Sequence, residues 1–174
     1  MRDVGDDERG YAVGHITRLV IVAAICYSEY MKAIVIYGSN FGNTQKIAET
    51  IAVGIGCKAV SVDKIDDNEL NEVDLLVVGT PINGWMPVPA VQGFLANLKP
   101  GQLKGVKATA FDTRVKLFIH GDAMGKVESA LKNAGAEIIT DPMAFYVAGP
   151  QQTPYLLNGE LEKARAWGRQ IKQL

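Results

Sequence analysis

The heptapeptide Gly38-Ser39-Asn40-Phe41-Gly42-Asn43-Thr44 lies between the β-branched run Ala33-Ile34-Val35-Ile36-Tyr37 and a helical stretch from Thr44 to Gly56. Its small residues let the backbone wrap closely around an anion. The helix start adds unpaired amides and the positive end of a dipole. Ser39, Asn43 and Thr44 can add side-chain donors. The loop contains no lysine or arginine, so an oxyanion held here would be held by hydrogen bonds alone. That excludes a Walker loop, which places a lysine on the phosphates, and there is no G-x-G-x-x-G of a dinucleotide site. A phosphorylation receiver would need carboxylates at this place for a metal, and the loop has none. The remaining readings are an uncharged anion cradle or a polar loop with ordinary cap chemistry.

The elements that must position this loop follow from the apolar pattern. Ala33–Tyr37 reads as a strand buried on both faces. Ala59–Val62 and Val73–Gly79 read as the second and third strands, with a short helix in the acidic stretch between them. Pro89–Leu98 reads as a helix, Val106–Phe111 as the fourth strand and Met124–Ala134 as a helix stopped by Gly135. Ile138-Ile139 and Phe145-Tyr146-Val147 share a fifth strand interrupted around Pro142, which cannot donate to a ladder. A last helix runs from Gly159 to Lys172, capped by Asn158. Strands alternating with helices predict an α/β domain with a doubly wound, five-stranded parallel sheet. Ligands in such sheets bind beyond the carboxyl ends of the strands, where strand order reverses. The loops of interest are therefore 38–44, 80–88 and 112–120.

Composition narrows the function classes. The 174 residues suit one domain, and a formal net charge of −1 argues against sequence-independent binding to nucleic acid. Three of the eighteen basic and five of the nineteen acidic residues precede Met31, so the remainder carries a net charge of +1. Residues 1–30 are expected to be an extension outside the fold, with the domain at 31–174. Their apolar run Leu19–Tyr27 is far shorter than the ~20 residues of a membrane span. Cys26 and Cys57 have no metal or disulfide spacing, which fits a reducing cytoplasm. His120 is a lone histidine, Trp167 reads as a packing residue, and Asp63–Asp74 as a solvated acidic face.

The run Ile36 to Ala48, with Ser39, Gly42, Asn43, Thr44 and Ala48 in place, resembles the S-x-T-G-N-T-x-x-x-A phosphate signature of the flavodoxin family. Phe41 stands where that family usually has threonine. The resemblance continues through Val73–Gly79, Leu131–Ile139 and the last helix. It implies the strand order 2-1-3-4-5 and a bound flavin mononucleotide (FMN) at the switch point. It also implies that Ser39, Asn40, Phe41, Gly42, Asn43 and Thr44 surround the phosphate. In the second loop it implies that Thr80, Pro81, Asn83 and Gly84 border the flavin, with Trp85 stacked on the ring. In the third, Asp112, Thr113, Arg114 and Phe118 would face the pyrimidine end. Arg114 is read as a surface arginine that could also approach the ring. The function implied is electron transfer between redox partner proteins, by a cytoplasmic monomer or weak dimer. The alternatives are an FMN-dependent NAD(P)H:quinone-type oxidoreductase and a flavin-free interaction domain on the same scaffold.

Overall fold

The computed structural model describes residues 31–82, 85–116 and 123–174. Alternate side chains of β1 (Ala33–Tyr37) enter opposite layers, as strand geometry requires. Ile34 and Ile36 face one side of the sheet, and Val35 and Tyr37 the other. β1 pairs in parallel with β2 (Lys58–Ser61) and with β3 (Leu75–Pro81). β3 in turn pairs in parallel with β4 (Lys107–Val115). β5 (Glu137–Ile138) and β6 (Met143–Ala148) both run parallel alongside β4. The order is thus 2-1-3-4 followed by a fifth strand in two pieces, with the break at the proline, as expected. A seventh strand that the sequence did not suggest, β7 (Tyr155–Leu156), adds an antiparallel edge to β6.

α1 (Asn43–Ile55) and α4 (Glu160–Ile171) cover one face of the sheet, and α2 (Pro89–Asn97) and α3 (Ala123–Asn133) the other. Under α1 and α4, Phe111, Phe145 and Trp167 meet edge to face, with centroids 5.8–6.5 Å apart. Trp167 is a packing residue, as read from its helix. The stretch after β2 forms two 3₁₀ turns, Val62–Lys64 and Asp67–Leu70. Its acids are partly tied down, because Glu69 pairs with Lys58 and Glu72 with Lys32. Burial pushes the Cys57 thiol up to about 11 despite the opposing charge of Lys172, which makes it an inert packing residue. No helix among the described residues is long and apolar enough to cross a membrane.

Two expectations are corrected. Asn158 does not cap α4; Gly159 occupies that position at φ 86°, and no side chain caps the helix. β4 does not end at Phe111 but continues to Val115, because Asp112 and Thr113 still pair with Thr80 and Pro81 of β3. Asp112–Val115 also pair with Ala144–Val147 of β6. The polar residues there lacked an apolar signature, but neighbouring strands on both sides supply the ladder.

α1 and α4 touch backbone to backbone through Gly54 and Gly168. A Cβ on Gly168 would lie 2.5 Å from the carbonyl oxygen of Ile51, and one on Gly54 would lie 2.6 Å from that of Arg165. Gly168→Ala gains helix propensity of about 1 kcal/mol but forces two backbones apart. We expect a net loss of about 1–2 kcal/mol, read as a lower midpoint in chemical denaturation. A raised midpoint would show that the helices do not pack this closely.

Candidate functional site

The first loop turns into α1 through a left-handed residue. Gly42 has φ 82°, and its N–H donates to Ser39 Oγ at 3.0 Å. A Cβ at Gly42 would meet no atom, so the glycine is required by conformation and not by crowding. The first α-helical bond is from Lys46 N–H to Gly42 O. The amides of Asn40, Phe41, Asn43, Thr44 and Gln45 consequently have no protein acceptor among the described residues. These N–H donors, three of them at the helix start, are groups that suit an oxyanion without any cation in the loop.

The loop's side chains are largely committed elsewhere. Thr44 is buried, and its hydroxyl pairs with that of Thr113 at 2.7 Å. Asn43 Nδ2 donates to the carbonyl oxygen of Pro154 at 2.8 Å. These two bonds tie the start of α1 to β4 and to the segment after β6.

Together the carboxyl ends of β1, β3, β4 and β6 enclose a cavity of about 400 Å³. That volume falls within the range of small-molecule sites. Asn40, Phe41, Asn43 and Thr44 line it on the cradle side, and Pro81, Thr113 and Arg114 on the strand side. Sequence reasoning missed other wall residues: Ile82, Val115, Val147 and the turn residues Gly149, Gln151 and Pro154. The Gly149-Pro150 and Thr153-Pro154 pairs are the turn signals that mark this segment.

Other expected site residues sit differently. Thr80 is fully buried; its hydroxyl donates to Pro81 O and accepts from Val88 N–H, each at 3.0 Å. It fixes the loop and does not line the cavity. Trp85 is 59% exposed at φ 73°, the one non-glycine residue with positive φ among those described. It lies outside the cavity wall. Asn83, Gly84, Phe118 and His120 lie outside the described residues.

Arg114 is not the solvated surface residue it was read as. Asp112 is fully buried, and Arg114 Nε donates to its Oδ1 at 2.6 Å while Nη2 reaches Oδ2. The two residues are two apart on one strand and therefore share a face. Hydrogen bonding to Asp112 raises the guanidinium above its ordinary pKa, so the cation at the cavity wall is permanent. Arg114→Ala removes this partner of Asp112 and should cost about 1–3 kcal/mol. Adding Asp112→Asn should recover most of the loss. Equal denaturation midpoints for the single and double variants would contradict the pairing.

Comparisons place this architecture. "Putative diflavin flavoprotein A 5" of Nostoc sp. strain PCC 7120 is 30% identical over 152 residues, covering 73% of this chain. The aligned region is 25% of that protein, so the chain spans about a quarter of the curated relative's length. Oxidised flavodoxin 1 of Bacillus cereus superposes with a TM-score of 0.67 at 20% identity, covering 82% of this chain and 99% of that one. The Flv1 flavodiiron core of Synechocystis sp. PCC6803 gives 0.62 at 20% identity, covering 94% of this chain and 40% of that one. These two structural likenesses show the fold. The sequence itself matches the Flavodoxin family over residues 35–166, from β1 across the cradle and every strand that frames the cavity. The chain belongs to the flavodoxin family, whose members bind FMN.

Proposed function

We propose that the protein holds FMN in the cavity at the strand ends and passes electrons between redox partner proteins. The observation that carries this reading is the run of unpaired amides in the cradle, where Asn40, Phe41, Asn43 and Thr44 line the same cavity as an apolar wall. The donor set fits FMN. A phosphate suits the amides of Asn40, Phe41, Asn43, Thr44 and Gln45, with Ser39 and Gly42 shaping the turn. A flat ring suits Pro81, Ile82 and Val115. Trp85 and Phe118 are proposed to cover the ring, and Asn83 and Gly84 to form the turn beside it. When bound, FMN supplies one- and two-electron redox chemistry. The chain's residues bind it, orient it and set its electrostatic surroundings. Arg114 faces the cavity with Asp112 behind it, so the pair contributes little net charge.

The partner surface is proposed to be apolar. Phe41, Trp85, Val115 and Tyr155 are 56%, 59%, 49% and 58% exposed on loops or strand ends at the cofactor end of the sheet. Among the described residues of those segments, only the Arg114–Asp112 pair and Lys116 carry charge. A second reading is that the protein serves as the FMN module of a larger electron-transfer system. It is favoured by the likeness to a diflavin flavoprotein and a flavodiiron core, each longer than this chain. A cytoplasmic monomer or weak dimer suits either reading.

Two measurements test the carrier role. Holoprotein mixed with NADH or NADPH and a quinone should show slow flavin reduction without rapid multiple turnover. Sustained rapid turnover would instead assign an NAD(P)H:quinone-type oxidoreductase. Electron transfer to an isolated partner should change less than about tenfold between low and high ionic strength, because few charges flank the contact. A steep dependence would assign docking to charges elsewhere.

A further inference from the structure

Some of the cradle's side-chain donors are already engaged. Phe41 offers none, Asn43 Nδ2 commits one of its two N–H groups to Pro154, and Thr44 shares its hydroxyl proton network with Thr113. Ser39 Oγ accepts from Gly42 N–H and keeps its own O–H to donate. Across the cavity stands the segment between β6 and β7. Its turn is closed by Thr153 N–H donating to Pro150 O at 3.0 Å, and its far end is bonded to α1 through Asn43. Gly149, Gln151 and Pro154 of this segment form part of the cavity wall. The Gln151 carboxamide has no protein partner among the described residues.

We infer that residues 149–154 are a fourth cofactor-binding loop and that Gln151 donates a hydrogen bond to the FMN phosphate from outside the cradle. The Asn43–Pro154 bond couples the two halves of the phosphate site: the residue that opens α1 also fixes the loop that bears Gln151. A neutral carboxamide suits this place. It adds a donor directed at a dianion, and it leaves the 149–154 loop, like the cradle, without a cation. This inference rests on FMN occupying the cavity.

Fluorescence titration of the full-length apoprotein with FMN and, separately, with riboflavin tests it. Gln151→Ala should weaken FMN about tenfold, the effect of losing one charge-assisted bond, and leave riboflavin affinity unchanged. Gln151→Glu should weaken FMN further by repulsion, again without effect on riboflavin. The phosphorus NMR signal of bound FMN should move in both variants. Unchanged FMN affinity in both variants, or equal losses for FMN and riboflavin, would overturn the assignment to phosphate. Wild-type protein that binds neither ligand would overturn the occupancy of the cavity as well, so the two failures are distinguishable.

Discussion

The left-handed turn at Gly42 is the constraint on which the rest of the site depends. It ends the first loop, starts α1, and leaves the helix's first amides without an acceptor among the described residues. A buried or ligand-facing amide without a partner is costly, so such a cluster is stable only where water or an anion meets it. Glycine is the residue that makes this conformation without strain. The buried Thr44–Thr113 hydroxyl pair and the Asn43–Pro154 bond then hold the turn against β4 and the segment after β6. The loop's side chains thus position it, and its backbone is left to bind.

Parallel strands do the remaining work. β1 lies between β2 and β3, so the connections from β1 and β3 leave on opposite faces and a crevice opens between them. The crevice is widened toward β6 because β4 runs on to Val115 and carries Thr113 and Arg114 to its edge. Arg114 stays there because Asp112, fully buried on the same face, fixes its guanidinium. A cation on the wall would favour negative charge in the cavity, but its carboxylate partner offsets most of the field.

Much of this was legible in the sequence because the informative signals are local. Short β-branched runs identified the parallel strands apart from the end of β4, and the loop's small polar residues before a helical period marked the cradle. The proline at 142 foretold the break in the fifth strand. Non-local features were not legible. Asp112-Thr113-Arg114 has no apolar pattern, and only pairing on both sides makes it strand. The Asp112-x-Arg114 spacing was the available signal for the ion pair, but it acquires meaning only once the segment is known to be extended. Thr80 has the residue type of a ligand-binding hydroxyl, yet its burial directs it to Pro81 and Val88. The 149–154 wall is contributed by residues more than a hundred positions from the cradle, and β6, β7 and the Asn43 bond bring it there.

On the proposed function, backbone amides of an uncharged loop bind the phosphate of FMN. Amide-resolved NMR of the apoprotein, with hydrogen exchange before and after cofactor addition, tests it most directly. FMN should shift the amides of Asn40, Phe41, Asn43, Thr44 and Gln45 strongly and protect them from exchange, whereas riboflavin should leave them nearly unprotected. Protection of the same amides to the same extent by both ligands, or by neither, would contradict the account.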